Sequence, residues 1–395
     1  MPNIVLRIKN GKIIADERSK SIVMASQFGR RELGDIVLDI SEAMFLMEFR
    51  NATLFDETGR VVTLNELVDR FYSENMFVRY SVFKDWRLRG LYGKCYANFR
   101  MERKFNKSPI KEYPSGELNL DASDLEILFL PDELFSITYS PNAKKYYSNY
   151  WIGQWGLYKK SDLGFGLKLD VFETLLVAKY GAKIKDAASK KYLDFDELME
   201  IVKHKIPFIH ALFNVYEDWR SRGYVVKTGF KFGTHFRIYF PGVLPDRKDG
   251  NWQHSKHVIH VFPKDASMIM SEWARAVRVA HSVRKTFIMA VPEMEESDYL
   301  KEKTEIDYVF WYRNENNITE KPNINDPSFI VIAMHEDEKL SGKILASALE
   351  RADKHGLRLL IAIVDRESSV TYYVANRIDL PGSKNKYYEI VWLNP

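Results

Sequence analysis

Two segments of the chain place a stretch of helical periodicity between short apolar runs, in the same order each time. Within residues 266–284, apolar side chains recur every three or four positions, which predicts an amphipathic helix. The residues on that face are Ile269, Trp273, Val277, Ala280 and Val283. Runs rich in β-formers at 257–262 and 287–291 flank the helix and predict buried strands.

The same order of elements returns further along the chain. Residues 329–333 and 359–363 are the flanking apolar runs, and residues 345–354 are the helical stretch between them. The runs at 287–291 and 359–363 are 72 positions apart. This recurrence predicts that residues 306–395 copy the back half of the preceding segment.

A longer repeat relates the first part of the chain to its middle. Residues 84–94 read KDWRLRGLYGK and residues 217–227 read EDWRSRGYVVK, with six of eleven positions identical at an offset of 133. The other matched blocks are LDISE with LDVFE (38–42 and 169–173) and QFG with QWG (27–29 and 154–156). Because the blocks keep one order, they predict an internal duplication.

These repeats predict three related units, at residues 1–145, 146–305 and 306–395. The middle unit divides into an N-terminal subdomain, 146–212, and a second subdomain, 213–305. Helix and strand signals mix in every unit. The predicted fold class is therefore α+β or α/β, with three tandem units that have helical N-terminal subdomains and β-rich C-terminal subdomains.

Composition narrows the classes of protein that fit the chain. Of its 395 residues 46% are hydrophobic, and the net charge of +4 permits a nucleic-acid partner without requiring one. No apolar run approaches the roughly 18 residues that span a bilayer, and no signal-peptide pattern is visible. Cys95 is the single cysteine, which excludes internal disulfides and cysteine-rich metal centres and fits a reducing cytoplasm.

Histidines are concentrated in the middle unit. Five of the nine lie between positions 235 and 281, and His254, His257 and His260 follow one another at a spacing of three. The run at 257–262 is rich in β-branched residues, so a strand is favoured over a helix. On a strand, His254 and His260 lie about 20 Å apart and His257 faces the other side. We therefore predict no metal site.

Three ordered blocks of the middle unit resemble the catalytic unit of the archaeal tRNA-splicing endonucleases (tRNA-intron lyases). They read GYVVKTGFKFGTHFRIY at 223–239, HSKHVIHV at 254–261 and RAVRVAHSVRKTFIMAV at 275–291. The first and last units resemble the family more weakly. The resemblance implies a nuclease-like fold for residues 213–305. It also implies an enzyme that excises introns from precursor tRNA at bulge–helix–bulge splice sites, without a metal or another cofactor.

The family uses a tyrosine, a histidine and a lysine, which the resemblance places at Tyr239, His254 and Lys285. It assigns them as general base, general acid and stabiliser of the charged phosphorane, with 2′,3′-cyclic phosphate and 5′-hydroxyl products. Histidine, with a pKa of about 6.5, donates a proton near neutrality, whereas tyrosine needs nearby cations to become a useful base. Tyr224 and His235, in the same blocks, remain alternatives for the base and the acid.

The other two units provide an internal comparison. Their aligned positions hold Glu102, Asp326 and Leu357 in place of the tyrosine, the histidine and the lysine. We therefore predict that the unit at 1–145 and the unit at 306–395 are non-catalytic partners of one catalytic unit.

Several basic residues are candidates for RNA binding. The resemblance places Arg278, seven residues before Lys285 on the predicted helix, at the position of an arginine that stacks on a base flipped out of the RNA. The pair Lys159 and Lys160 lies in the front half of the same unit and is a candidate for contact with the phosphate backbone.

The family assembles four units around two active sites. A chain with one catalytic unit and two silent units resembles the three-unit type, which pairs as a homodimer. In the family, an acidic loop docks into a basic pocket of the opposite half, and Asp365 and Glu367 are its candidates here. Two other classes compete with this hypothesis: a metal-dependent nuclease of restriction-enzyme type, and a non-catalytic RNA-binding or scaffolding subunit.

Overall fold

The computed structural model describes residues 4–99, 101, 103–158, 160–245, 253–292 and 305–395. In these residues the chain is a mixed α/β protein with sheets of six, six and eleven strands and a small two-stranded sheet. The predicted mixture of helices and strands is confirmed, and the division into three tandem units stays a prediction. None of the described helices is long and apolar enough to cross a membrane.

The first six-stranded sheet is formed by residues 5–62. Its strands and the helices beside it are β1 (Val5–Lys9), β2 (Lys12–Ala15), α1 (Lys20–Ala25), β3 (Arg30–Glu32), β4 (Asp35–Leu38), α2 (Ile40–Phe49), β5 (Thr53–Phe55), β6 (Val61–Val62) and α3 (Leu64–Arg70). The chain continues through α4 (Met76–Leu88), β7 (Tyr92–Cys95) and β8 (Lys111–Glu112).

The second six-stranded sheet is formed by residues 126–193. Its elements are β9 (Glu126–Leu130), β10 (Phe135–Thr138), α5 (Lys144–Tyr150), β11 (Gln154–Trp155), β12 (Leu167–Leu169), α6 (Val171–Lys179), β13 (Lys183–Asp186) and β14 (Tyr192–Leu193), followed by α7 (Phe195–Lys203) and α8 (Ile209–Ser221). The strand order β11-β12-β10-β9-β13-β14 repeats the order β3-β4-β2-β1-β5-β6 of the first sheet. The predicted unit boundary at 145/146 falls inside α5, between strands of this one sheet.

The long sheet collects strands from three parts of the chain. Its later elements are β15 (Val225–Thr228), β16 (Phe236–Tyr239), β17 (His257–Val261), β18 (Ser267–Ile269), α9 (Met270–Ser282), β19 (Thr286–Val291), β20 (Tyr308–Trp311), β21 (Phe329–His335), β22 (Lys339–Ser341), α10 (Gly342–His355), β23 (Arg358–Val364), β24 (Val370–Asp379) and β25 (Lys386–Leu393). The strand order is β15-β16-β17-β19-β25-β24-β23-β21-β20-β7, with β8 beside β24, while β18 and β22 pair separately.

The two ends of the long sheet are built alike. We call β15, β16, β17 and β19 with α9 the β15 half, and β7, β20, β21 and β23 with α10 the β7 half. In the β15 half, His257 pairs with Thr286 between parallel strands. In the β7 half, Phe329 pairs with Arg358, also between parallel strands, and each of these residues lies 72 positions after its counterpart in the β15 half. The offset of 72 positions that the apolar runs indicate therefore relates equivalent residues of the two halves in the structure.

The match of Glu102 with Tyr239 is wrong. Tyr239 ends β16 and pairs with Val225, and the residue in the same place of the β7 half is Trp311, which ends β20 and pairs with Tyr92. The chain leaves this half after β7 and returns at residue 308. An alignment that continues from β7 along the sequence therefore compares β16 with the residues after 95, whereas its structural counterpart is β20. Glu102 itself lies outside the described residues.

Reciprocal caps explain why α2 and α6 begin where they do. Asp39 accepts a hydrogen bond from a backbone N–H of the first turn of α2, and Glu42 accepts one from the Asp39 N–H. Asp170 and Glu173 form the same capping box at α6. Each box satisfies N–H groups that the helix cannot pair internally, which is why this block recurs in both copies.

One of the matched sequence blocks is out of register. Glu42 accepts a hydrogen bond from the Gly29 N–H at 3.0 Å, and Glu173 accepts one from the Gly153 N–H at 2.8 Å. Gly153 is thus the counterpart of Gly29, and the match of QFG with QWG is shifted by three positions. The loops before β4 and β12 differ in length, so identical residues in this region do not occupy equivalent positions in the two sheets.

Helix α9 confirms the periodicity in its segment. Trp273, Val277 and Ala280 are fully buried and share one core with Phe287 of β19 and with residues of α10. Val283 is exposed, because the helix ends at residue 282. The predicted strand at 287–291 is β19, one residue longer at its start.

The segment after β7 packs against the end of α10. The N–H of Phe105 donates to the carbonyl of His355 at 2.7 Å, and the N–H of Lys107 donates to that of Gly356 at 2.9 Å. Gly356 has φ +64°, and a Cβ there would meet the Phe105 carbonyl oxygen at 1.8 Å. Glycine is therefore required. The packing lies next to buried Leu357, which stands 72 positions after Lys285.

Candidate active site

Strand directions bring the predicted catalytic residues to one edge of the long sheet. Strand β16 is antiparallel to β17, and β17 is parallel to β19. The end of β16 and the starts of β17 and β19 therefore lie side by side. Tyr239 is the last residue of β16, Lys285 directly precedes β19, and His254 lies three residues before β17.

A cavity of about 960 Å³ opens at this edge, and Tyr239, His254 and Lys285 all line it. Its lining contains seven cationic side chains and two carboxylates. The cationic residues are Lys168, Lys227, Lys231, Arg237, Lys256, Arg284 and Lys285. This excess of positive charge suits a polyanionic ligand such as the phosphate backbone of a nucleic acid.

Tyr239 is held among aromatic and cationic groups. It is 5% exposed, and the centroid of its ring lies 4.8 Å from that of Trp151. The guanidinium carbon of Arg237 lies 5.7 Å from the centroid of the Tyr239 ring. Burial raises the pKa of the Tyr239 phenol, while Arg237 and a hydrogen bond with Ser255 act in the opposite direction.

Lys285 projects from a tight turn between α9 and β19. Arg284 has φ 55°, a left-handed conformation that is uncommon for a residue with a side chain. The Lys285 ammonium donates to the hydroxyl of Ser255 at 2.9 Å and also to the Ser255 carbonyl. It lies 5.0 Å from the centroid of the Phe232 ring. Burial lowers the pKa of Lys285, and Arg237 lowers it further.

The histidines of the HSKHVIH block lie apart, with His257 and His260 in β17 as predicted and His254 in the segment before that strand. His254 is exposed at the cavity, whereas His257 and His260 are buried in β17. Burial lowers the pKa of His257 to about 4 and that of His260 to about 3, so both are neutral side chains of the core. Among the described residues, no group of three or more His, Cys, Asp or Glu could hold a metal ion.

The alternative residues lie away from the cavity lining. Tyr224 is fully buried and its hydroxyl donates to the carbonyl of Pro114. His235 accepts a hydrogen bond from the Val261 N–H at 3.0 Å, and its ring centroid lies 4.4 Å from that of His260. Burial lowers the pKa of His235 to about 4. The cavity thus brings together Tyr239, His254 and Lys285, and neither alternative residue lines it.

The sequence did not indicate a buried ion pair at the floor of the cavity. The Lys227 ammonium donates to Glu173 at 2.5 Å and to the Gly153 carbonyl at 3.0 Å. Asp170 lies beside this ion pair. Its pKa is raised to about 7, mainly by burial and also by the charge of Glu173. Lys94 of β7 has the same arrangement, since its ammonium donates to Glu42 of α2 at 3.1 Å. The repeated terminal lysine of the 84–94 and 217–227 blocks was the available signal.

Arg278 and Lys160, the predicted RNA-binding residues that the structure describes, do not line this cavity. Arg278 lies on the exposed face of α9 and donates to the hydroxyl of Tyr373 at 3.4 Å. Lys160 is exposed in the loop after β11, whose residues Leu157 and Tyr158 do line the cavity. Lys159 lies outside the described residues.

The predicted dimer residues lie in the turn between β23 and β24. The carboxylate of Asp365 accepts hydrogen bonds from the N–H groups of Glu367 at 2.9 Å and Ser369 at 2.8 Å, so it holds the turn itself. Glu367 is exposed. Arg366, between them, pairs with Asp337 at 3.0 Å.

Comparison with known proteins bears on this geometry. A family model described as tRNA intron endonuclease, catalytic C-terminal domain, matches residues 209–308. A tRNA-splicing endonuclease from Methanopyrus kandleri is 35% identical over 154 residues, 39% of this chain and 79% of the relative. One from Thermococcus gammatolerans is 36% identical over 153 residues, 38% of this chain and 86% of the relative. One from Methanococcus vannielii is 39% identical over 132 residues, 33% and 71% of the two chains.

The β15 half therefore carries the catalytic domain of an RNA-cleaving enzyme, and the matched region includes Tyr239, His254 and Lys285. The chain belongs to the tRNA-splicing endonuclease family and is a tRNA-intron endonuclease. Its substrate class is tRNA, and the relatives compared above are archaeal.

Proposed function

We propose that the enzyme excises introns by cutting precursor tRNA at bulge–helix–bulge splice sites, without metal, in the cavity at the edge of the β15 half. The observation that supports this best is that Tyr239, His254 and Lys285 line one cavity whose charge is mainly positive. The expected products carry a 2′,3′-cyclic phosphate and a 5′-hydroxyl.

Each residue has a distinct task in this proposal. Tyr239 removes the proton of the 2′-hydroxyl beside the scissile phosphate, and the freed oxygen attacks phosphorus. His254 donates a proton to the departing 5′-oxygen, for which its exposed place at the cavity is suitable. Lys285 stabilises the additional negative charge of the phosphorane. The raised pKa of Tyr239 means that the cations around it are needed to make the phenolate accessible.

The reaction can be tested with an intron-bearing precursor tRNA in EDTA. We expect cleavage at both splice sites at the rate seen with Mg²⁺ once folding of the RNA is controlled. The downstream fragment should accept phosphate from a polynucleotide kinase directly, because it begins with a 5′-hydroxyl. A substrate with a 2′-deoxyribose at the splice site should remain uncut. Loss of activity in EDTA with prefolded RNA, or cleavage of the deoxy substrate, would contradict the proposal.

The proposed arrangement of units is one catalytic unit and two silent ones, paired as a homodimer with two active sites. The β7 half supports this, since it holds Trp311, Asp326 and Leu357 at the positions 72 residues after the catalytic ones. A chain with one complete set of catalytic residues and two cuts to make is expected to pair with a second copy. Two-fold pairs are also the commonest oligomers.

Removing the charges of the β23–β24 turn is expected to weaken the dimer. Asp365→Asn keeps an oxygen for the two turn hydrogen bonds, and Glu367→Lys reverses an exposed charge. The double variant should sediment increasingly as a monomer on dilution and lose activity in parallel, because dissociation depends on concentration. The control is Asp132→Lys with Glu133→Lys in the β9–β10 turn. A wild-type monomer that cuts both sites at full rate would contradict the proposal.

A further inference from the structure

Ser255 is the residue that connects the catalytic side chains. It lies between His254 and β17 and is 5% exposed. Its hydroxyl accepts a hydrogen bond from the Lys285 ammonium at 2.9 Å, and its carbonyl accepts a second one. Ser255 lines the same cavity as Tyr239, and its side chain acts to lower the pKa of the Tyr239 phenol, as a hydrogen-bond donor to that oxygen does. Ser255 therefore holds Lys285 directly, shares the cavity with Tyr239 and is adjacent in the chain to His254.

The sheet register explains this meeting. Ile238 pairs with His257, and His257 pairs with Thr286, so the segment before β17 lies between the end of β16 and the start of β19. Ser255 is therefore the residue of the middle segment that reaches both neighbours. Its burial excludes water that would otherwise compete for the two hydrogen bonds.

Lys285 depends on this contact for its orientation. Within the described residues, no carboxylate forms an ion pair with Lys285, and its hydrogen bonds go to the two oxygens of Ser255. A lysine side chain has several rotatable bonds, so an ammonium without a fixed partner samples many positions. The hydroxyl that accepts from the ammonium has its own proton free to donate to the oxygen of Tyr239, which favours the phenolate.

We propose that Ser255 is a positioning residue that holds the Lys285 ammonium in the cavity and donates a hydrogen bond to the Tyr239 oxygen. This inference rests on the proposed function, in which Tyr239 is the base and Lys285 stabilises the phosphorane. The direction of the pKa effect agrees with it, since the hydrogen bond with Ser255 acts to lower the pKa of Tyr239 against the effect of burial. Serine at this position thus couples the base to the cation.

The test measures single-turnover cleavage of precursor tRNA by Ser255→Ala and Ser255→Thr. We expect the alanine variant to be slower by roughly tenfold to a hundredfold, because a shift of about 1 Å in a reacting group has effects of that size. RNA affinity should change little. The falling, alkaline limb of its pH–rate profile should move to higher pH, because the phenolate loses a donor and the pKa of Tyr239 rises. The threonine variant retains the hydroxyl and should stay near the wild-type rate and profile.

The matched control is Ser328→Ala. Ser328 is 4% exposed, lies directly before β21 in the β7 half, and also bridges two groups, Glu320 and the N–H of Tyr312. An unchanged pH profile in Ser255→Ala would overturn the inference, and so would equal rate losses in Ser255→Ala and Ser328→Ala or a threonine variant as slow as alanine. The proposed function is tested separately, because it requires only that wild type cuts in EDTA and that Lys285→Ala cuts about a hundredfold or more slowly.

Discussion

Replacing Lys285 with alanine is expected to lower the single-turnover cleavage rate by about a hundredfold or more, since removal of one group that stabilises transition-state charge costs on the order of 3–4 kcal/mol. The affinity for precursor tRNA should remain close to that of wild type, because the additional phosphorane charge develops only during the reaction. His254→Ala and Tyr239→Phe should show the same division between rate and affinity. The measurement is the cleavage rate with saturating enzyme, together with binding of an uncleavable 2′-deoxy substrate.

The neighbouring Lys256→Ala provides the contrast. Lys256 also lines the cavity and is exposed, but the proposal gives it no part in proton transfer or in stabilising the phosphorane. Its loss should weaken binding, more so at low salt, and leave the single-turnover rate nearly unchanged. If His254→Ala kept the wild-type rate while His235→Ala abolished it, the assignment of the acid would be wrong.

The pH dependence of His254→Ala separates the acid from the base. The active form of wild type has lost the Tyr239 proton and kept the His254 proton, so raising the pH increases one fraction and decreases the other. These opposite changes offset each other, so the wild-type rate should depend only weakly on pH. Without the imidazole only the phenolate fraction remains, and its pKa is raised by burial. The rate of the variant should then rise about tenfold per pH unit through neutral and alkaline pH.

Replacing Lys227 with methionine is expected to destabilise the second six-stranded sheet and its contact with the long sheet by about 3–5 kcal/mol. The side chains of Lys227 and Glu173 are 9% and 5% exposed. Removal of the ammonium leaves the Glu173 carboxylate buried without its partner, while Asp170, whose pKa is already raised by burial and by that carboxylate, stays beside it. The measurement is the midpoint of denaturant or thermal unfolding.

Two further variants test the cause of that loss. Lys94→Met removes the equivalent ammonium beside Glu42, where the lysine side chain is 16% exposed, and should cost less. Lys227→Met combined with Glu173→Gln removes both charges and keeps an oxygen for the Gly153 N–H, so part of the stability should return. An unfolding midpoint of Lys227→Met equal to that of wild type would show that the pair contributes nothing.

The sequence predicted the residues around the cavity better than the path of the chain. Helix α9 and strands β17 and β19 follow from local periodicity. Tyr239 and Lys285 were indicated by the family resemblance, and the strand pairing of the structure brings them to one edge. The offset of 133 relates β7 to β15, and the offset of 72 relates the segment that begins with β16 to the segment that begins with β20. Each offset holds because the chain is continuous within the segments that it relates.

Predictions that depended on distant segments were less successful. Glu102 was aligned with Tyr239 because local order continues past β7, whereas pairing assigns that place to Trp311. The buried state of Lys227 also could not be inferred, because a lysine at a strand position ordinarily lies in solvent. Its partner Glu173 lies 54 residues away, and only the duplicated block linked the two.

The late return of the chain to β7 has a consequence for how the protein folds. Cys95 of β7 pairs with Tyr308, 213 positions further along the chain, whereas β15 pairs with β16 across a short loop. Contacts between such distant residues form slowly, because the loop entropy must be lost before they contribute. During synthesis on the ribosome, residues 126–291 can therefore assemble before the β7 half is complete. Trp86, which stacks on Phe310 at 4.6 Å, stays uncovered until the last part of the chain emerges, and this is the stage at which aggregation and chaperone binding are expected.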